Sequence, residues 1–174
     1  AVNGSSIYGD NAAAVTGGND SISLAANASG SYIYANLGDD SISLDAGLIA
    51  SSIYSGEGKD SVWIVDGAST ASLIDGGQGN DFLSLGALSG TSSLLGGVGE
   101  DTFTVGGTTT QWLVDAGDDN DTVSVALVSE RSTILGGSGA DSIQISAVSK
   151  GLVQAGVGND TIIVATAGVT SASL

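Results

Sequence analysis

The chain has 174 residues, and its 19 acidic side chains against three basic ones leave a formal charge of −16. This acidity argues against nucleic-acid and anionic-membrane partners, which need Lys or Arg to neutralise phosphates, and no apolar run is long enough for membrane insertion. The absence of Cys and His excludes disulfides, thiolate zinc sites and histidine-based catalysis. Although 28 residues are Gly, 41% are hydrophobic, which is too many for a disordered chain.

An aspartate recurs along the chain at a nearly constant interval, and this repeat organises the whole sequence. Successive members are separated by 20, 20, 21, 20, 20, 20 and 19 residues. A fixed period of this length is typical of repeat proteins in which each unit stacks on the next. The members of the repeat are Asp20, Asp40, Asp60, Asp81, Asp101, Asp121, Asp141 and Asp160.

Large apolar residues occupy fixed positions relative to each Asp. The residues two and four positions after it, such as Ile22 and Leu24, alternate with mostly hydroxylic residues, which predicts a half-buried strand. Seven residues before the Asp, a branched aliphatic such as Ile33 predicts a second strand. The sequence therefore predicts an all-β parallel β-solenoid (a β-roll or β-helix) of about eight coils, each with two short strands.

Residues 1–174 are expected to form a single solenoid domain that belongs to a longer repetitive protein. The final Ala172-Ser173-Leu174 repeats Ala71-Ser72-Leu73, where a second strand is predicted to begin. Neither end shows the polar capping unit that solenoids need. We therefore expect the array to continue or to assemble end to end.

A glycine-rich turn precedes each Asp. From the third repeat onward the turn follows, or closely varies, the pattern G/A-G-x-G-x-D-x-U-x, where U is a large apolar residue. Thr16 and Asn36 replace a glycine in the first two turns, and Asp119 does so in a later one. The glycines that match the pattern are Gly56, Gly58, Gly77, Gly79, Gly97, Gly99, Gly117, Gly137, Gly139, Gly156 and Gly158.

This pattern resembles the calcium-binding repeats of the repeats-in-toxin (haemolysin-type) family over residues 16–164. The resemblance implies that the eight Asp residues and the turn glycines hold calcium, with up to about seven ions between coils. It also implies bacterial type I secretion and an extracellular or cell-surface location. Family members usually carry the turn about every nine residues, on both edges of the coil. This chain carries it once per coil, so we expect one calcium row along one edge.

The chemistry of calcium is independently consistent with these residues. Calcium takes about six to eight oxygen ligands, many of them backbone carbonyls, and glycine lets a turn point its carbonyls inward. Without a cation, carboxylates stacked about 4.8 Å apart would repel by roughly 3–4 kcal/mol per neighbouring pair at an effective dielectric of about 20. The alternative is a metal-free ladder in which each Asp caps its own turn, and it stays open above all for the first two coils.

An outward-facing row lies six residues before each Asp. Its apolar members predict a packing face for another copy of the chain or another domain, and scattered surface apolarity is the alternative. The candidate interface residues are Tyr34, Tyr54, Leu95 and Leu135.

These observations predict a secreted structural module of a bacterial cell-surface or extracellular assembly, such as a surface layer, fibre or filament. Because calcium binding couples to folding, the module is expected to fold outside the cell and to associate there with itself or with other cell-surface components. The alternative is a calcium-stabilised stalk or C-terminal secretion module of an adhesin, toxin or polysaccharide-modifying enzyme.

Particular residues argue against two further functions. An enzyme is not expected, since Lys59, Arg131 and Lys150 are the only bases and fall at three different coil positions. Ice binding by the Ser/Thr-rich face is the other alternative, but residues such as Trp63 and Gln144 interrupt the regular hydroxyl array.

Overall fold

The computed structural model describes residues 2–10, 17–108, 110–165 and 169–170. Within these ranges the chain forms strands and turns, and no helix there is long and apolar enough to cross a membrane. In chain order the strands are β1 Val2–Asn3, β2 Ser6–Tyr8, β3 Ser21–Leu24, β4 Ala28–Ser29, β5 Tyr32–Leu37, β6 Ser41–Leu44, β7 Leu48–Ile49, β8 Ser52–Glu57, β9 Ser61–Thr70, β10 Leu73–Gln78, β11 Phe82–Ser89, β12 Ser93–Val98, β13 Thr102–Thr108, β14 Leu113–Asp118, β15 Thr122–Val128, β16 Thr133–Ser138, β17 Ser142–Ser149, β18 Leu152–Val157, β19 Thr161–Val164 and β20 Val169–Thr170.

The strands form two parallel sheets that run along the axis of stacking. The eight-stranded sheet has the order β2-β5-β8-β10-β12-β14-β16-β18. The twelve-stranded sheet has the order β1-β4-β7-β9-β11-β13-β15-β17-β19, and β3, β6 and β20 pair beside this path. Eight strands stacked in one sheet are related by seven translations, so the chain makes about seven turns. The predicted all-β parallel solenoid is confirmed.

The predicted apolar rows form the core between the two sheets. Ile74, Leu94 and Val114 pair in register on successive coils and are fully buried. Phe103, two residues after an Asp, is also fully buried, whereas Ile162 in the last coil is only partly buried. Translation by one coil places side chains of the same row against each other, so each coil buries the apolar surface that its neighbour presents.

The corner opposite the Asp turns is more ordered than the sequence predicts. Two short strands per coil leave a second turn in each coil, for example at residues 25–30 and 106–110, but β4 and the end of β13 lie within these ranges, and Thr109 is outside the described residues. Burial of an apolar residue in five of the coils holds this corner in extended conformation, and buried Ser69 pairs with Leu88 in the same row. These apolar residues were not identified as one row from the sequence, because some lie seven and others eight residues after the preceding Asp, so their spacing is not constant. They are Ala28, Leu48, Leu88, Val128 and Val148.

Candidate metal centre

The eight predicted Asp residues lie along one edge of the solenoid, one in each coil. The register of the following strands, in which Ser61 pairs with Phe82 and Phe82 with Thr102, stacks Asp60, Asp81 and Asp101 directly. The six members from Asp40 to Asp141 are at most 3% exposed, and the two end members are partly exposed. The structure therefore brings the predicted residues together, and their role as metal ligands stays a prediction.

One oxygen of each interior carboxylate is held by the backbone of the preceding coil. The N–H of Asp60 donates to Oδ1 of Asp81 at 2.8 Å, and the N–H of Asp81 donates to Oδ1 of Asp101 at 2.7 Å. The same bond recurs from Asp20 to Asp160 at 2.7–3.0 Å. Each coil therefore orients the carboxylate of the next coil, and the side chain does not cap its own turn in the way that the metal-free alternative supposes.

The other carboxylate oxygen has no partner. Oδ2 is buried without a hydrogen bond in every member of the column from Asp20 to Asp141. Burial raises the pKa of Asp60, Asp101 and Asp121 to about 7, although the N–H bond to each lowers it and neighbouring carboxylates raise it further. Burial likewise raises the pKa of Asp81 to about 6. A buried anion needs a counter-charge or must become neutral, so the column is incomplete as protein alone.

Glycines lie directly beside several of the unpaired oxygens. A Cβ built on Gly76 would lie 2.5 Å from Oδ2 of Asp81 and 2.8 Å from the carbonyl oxygen of Gly96 in the next coil. Gly136 is placed in the same way beside Asp141 and the carbonyl oxygen of Ala155. A carboxylate oxygen of one coil and a carbonyl oxygen of the next therefore lie close together beside these glycines, and a cation between coils needs oxygens gathered in this way.

The turn glycines adopt the backbone conformation that the sequence predicts. All eleven glycines named for the pattern have positive φ, for example 101° at Gly77 and 123° at Gly79. In this conformation the chain turns sharply while its carbonyls stack over those of the adjacent coil. A Cβ on Gly77 would overlap the carbonyl oxygen of Gly56 one coil earlier. Only glycine fits such a column without strain.

Two turns carry a larger residue at a glycine position, and the first turn is built differently from the prediction. Asn36 and Asp119 adopt positive φ, 83° and 77°, where other coils have glycine. Thr16 lies outside the described residues. The pairing of Tyr8 with Tyr34 instead places Asp10 opposite Asn36, and Oδ2 of Asp10 accepts the N–H of Gly18 at 3.3 Å. Asp10 therefore takes the position opposite Asn36 in the first coil, which a count backward from Asp20 could not reveal.

The donors available along this edge are oxygens. The chain has no Cys or His, and no three acidic side chains of the described residues converge on one point. A cation here would be held by one or two carboxylates and several backbone carbonyls, with Asp Oδ2 as the charged ligand. Such a set suits calcium, a hard cation with flexible geometry. The residues present therefore fit a calcium ion between successive coils.

The opposite edge carries a serine ladder that the sequence analysis missed. The N–H of Ser31 donates to Oγ of Ser51 at 2.9 Å, and the N–H of Ser51 donates to Oγ of Ser72 at 3.3 Å. The Oγ of Ser51 in turn donates to the carbonyl of Ile49 at 2.7 Å, so these hydroxyls are satisfied by protein alone. In the sequence, the ladder is indicated by a Ser that lies nine residues before most of the repeated Asp residues. In one coil Trp112 takes this position and is buried. This edge needs no cation.

The candidate interface residues lie half-buried on the outer face of the eight-stranded sheet. The rings of Tyr8 and Tyr34 stack with centroids 5.2 Å apart, and those of Tyr34 and Tyr54 stack at the same separation. Leu95 and Leu135 continue the row, but Asp75 and Asp115 alternate with them in the strand register. The aromatic part of the row is therefore continuous, and the leucine part is interrupted by carboxylates.

No known protein family matches this sequence, and no curated protein sequence matches it. The fold is similar to the X-ray crystal structure of a hyperactive, Ca2+-dependent, β-helical antifreeze protein from an Antarctic bacterium, with a TM-score of 0.77 and 30% sequence identity. The alignment covers 92% of this chain and 52% of that one, so this chain spans about half the length of that protein. This similarity shows the solenoid fold. Membership of the repeats-in-toxin family stays a prediction.

Proposed function

We propose that this chain is a calcium-stabilised structural module of a secreted protein. Its calcium ions lie in a single row along the Asp edge, and the module acts in a bacterial cell-surface or extracellular assembly such as a surface layer, fibre or filament. A stalk or secretion module of a larger adhesin, toxin or polysaccharide-modifying enzyme is the alternative setting for the same module.

The observation that carries this proposal is the unpaired Oδ2 of seven successive aspartates. In the six carboxylates from Asp40 to Asp141, Oδ1 is hydrogen-bonded to the neighbouring coil and Oδ2 is buried without a partner. Hydrogen bonds between coils do not require a charged residue, because the uncharged serines of the opposite edge form them as well. The similar fold of a calcium-dependent protein supports the same cation. Extracellular fluid supplies calcium at the concentrations that such sites require, whereas the cytoplasm does not.

Association is supported by the outer face and by charge. Tyr8 and Tyr32 are 50% and 48% exposed at one end of the stacked aromatic row, and exposed aromatic clusters of this kind mark contact surfaces. Seven bound Ca2+ would bring the formal charge from −16 to about −2, which removes most of the repulsion between copies.

Ice binding is a second candidate, favoured by the antifreeze activity in the description of the similar structure. It requires a flat, regular array of one side-chain type. On the Ser/Thr face, Ser61 is followed in register by Phe82 before Thr102, and Trp63 protrudes one row away with 37% exposure. These aromatic rings interrupt the array, so we place structural support ahead of ice binding. Thermal hysteresis of the calcium-loaded chain would reverse that order.

Calcium stoichiometry tests the proposed site. Equilibrium dialysis of the full chain is expected to show several bound Ca2+, up to about seven. Asp81→Asn keeps the size of the side chain and removes the charged ligand, so it should lower the number of tightly bound ions by at least one. Asp66→Asn, at an exposed acidic residue outside the column, is the matched control and should leave the stoichiometry unchanged. Absence of bound calcium in the wild-type chain would refute the site.

Sedimentation velocity tests the proposed association. The full chain at high concentration is expected to sediment faster with calcium than in chelator, and Tyr54→Thr should weaken that association because it removes one ring of the aromatic stack. Trp63→Thr changes an exposed aromatic on the other sheet and serves as control. A calcium-loaded chain that remains monomeric at all concentrations would leave the stalk as the better description.

A further inference from the structure

From the second coil onward, the residue five positions before the Asp lies on the inner side of the turn, as the Cβ directions of Gly76, Gly96 and Gly136 toward Oδ2 of their own aspartates show. All members of this row are small, and only Ser55 among them carries a polar side chain. Ser55 is 0% exposed, and its Oγ has no hydrogen-bond partner. From the second coil to the last the row is Ala35, Ser55, Gly76, Gly96, Ala116, Gly136 and Ala155.

The strand register places Ser55 beside its own aspartate. Tyr54 pairs with Asp75 and Gly56 with Gly77, so Ser55 is the counterpart of Gly76. At Gly76 the Cβ direction points to Oδ2 of the aspartate of the same coil and to the carbonyl oxygen of the next coil. In the coil of Ser55 that aspartate is Asp60, which is 1% exposed and whose Oδ2 is also unpaired.

Two buried oxygens without partners therefore lie on the same side of one turn. A buried hydroxyl without a partner is destabilising, and a buried carboxylate without a counter-charge more so. They do not satisfy each other, since neither has a hydrogen bond. One cation placed between them would satisfy both, because a serine hydroxyl has lone pairs to offer and calcium accepts neutral oxygen ligands beside carboxylates.

We propose that Ser55 Oγ is a direct ligand of the calcium ion held by Asp60. The inference rests on the proposed function and makes this site different from its neighbours. Where the row carries glycine, as beside Asp81, the corresponding ligand is missing; where it carries alanine, as at Ala116, a methyl group occupies its place. The Asp60 site is therefore the tightest in the column.

Ser55→Ala tests the ligand directly, with Ser69→Ala as its control. Ser69 is also 0% exposed with an unpaired Oγ, but it lies at the corner far from the Asp edge. In saturating calcium, Ser55→Ala should lower the equilibrium constant of folding measured by urea denaturation about tenfold. Ser69→Ala should leave it unchanged or raise it, because it only removes a buried hydroxyl that lacks a partner.

Ala116→Ser supplies the reverse change in a coil that has no such ligand. In saturating calcium it should raise the equilibrium constant of folding several-fold, because the new hydroxyl would bind the ion beside Asp121. This variant also tests the inference if Ser55→Ala cannot be purified in folded form. An increase in stability of Ser55→Ala like that of Ser69→Ala, or a loss of stability in Ala116→Ser, overturns the inference. Equilibrium dialysis of the wild-type chain distinguishes failure of the proposed function from failure of this inference. If the wild-type chain binds no calcium, the proposed function is refuted. If it binds calcium but Ser55→Ala does not change the equilibrium constant of folding, only the role of Ser55 as a ligand is refuted.

Discussion

Removal of calcium is expected to unfold the solenoid. Each site filled at about 100 times its dissociation constant adds about 2.7 kcal/mol to the free energy of unfolding. Seven such sites would add about 19 kcal/mol, which is more than the roughly 5–15 kcal/mol that is typical of a whole domain. Without the ions, the buried Oδ2 atoms from Asp20 to Asp141 have no partner, and neighbouring carboxylates repel by roughly 3–4 kcal/mol per pair at an effective dielectric of about 20.

Circular dichroism and thermal melting, with calcium and after thorough chelation, measure this effect. We expect the strand signal and the melting transition to disappear in chelator and to return when calcium is added in excess. Magnesium is the control cation, since it demands octahedral geometry at shorter distances and gives up its water reluctantly, so it should restore little. Unchanged strand content and melting temperature after chelation would mean that the column is stable without metal.

Gly97→Ala is expected to be strongly destabilising. Gly97 has φ of 112°, and a Cβ at this position would overlap the carbonyl oxygen of Gly77 in the preceding coil. Backbone strain of an L-residue in this region costs about 1–3 kcal/mol, and forced displacement of a packed neighbour adds about 1–3 kcal/mol. In a chain of this size the sum should lower the melting temperature by about 5 °C or more in saturating calcium.

Gly107→Ala is the matched control for this substitution. Gly107 lies in β13 without positive φ, and a Cβ there would meet the carbonyl oxygen of Gly86 at 3.4 Å and Cβ of Ala87 at 3.7 Å, which are ordinary contacts. Alanine should therefore be tolerated or slightly stabilising, because it restricts the unfolded chain. Equal melting temperatures for the two variants would show that the stacked turn does not require glycine.

Much of the architecture could be predicted from the spacing of a few residues. Because successive coils are related by translation, residues that recur every 19–21 positions must lie in one row. The period alone therefore places Ile74, Leu94 and Val114 in the core and the aspartates on one edge. The positive φ of Gly77 and Gly79 was implied as well, since a repeated glycine in a turn marks a backbone that other residues cannot adopt.

The remainder depended on contacts between coils that the period does not encode. The N–H of Asp60 forms a hydrogen bond with Oδ1 of Asp81. Oδ2 of Asp81 is left without a partner because it is buried. The serine ladder could not be predicted because Ser also occupies many outward-facing strand positions, such as Ser21 and Ser23, so the inward direction of Ser31 and Ser51 is decided only by the stacking of the coils. Asp10 took the place expected for Thr16 because pairing of Tyr8 with Tyr34 sets the register of the first coil. Repetition in the sequence determined which residues share a row; hydrogen bonds and burial between rows, which are tertiary interactions, determined what each row can bind.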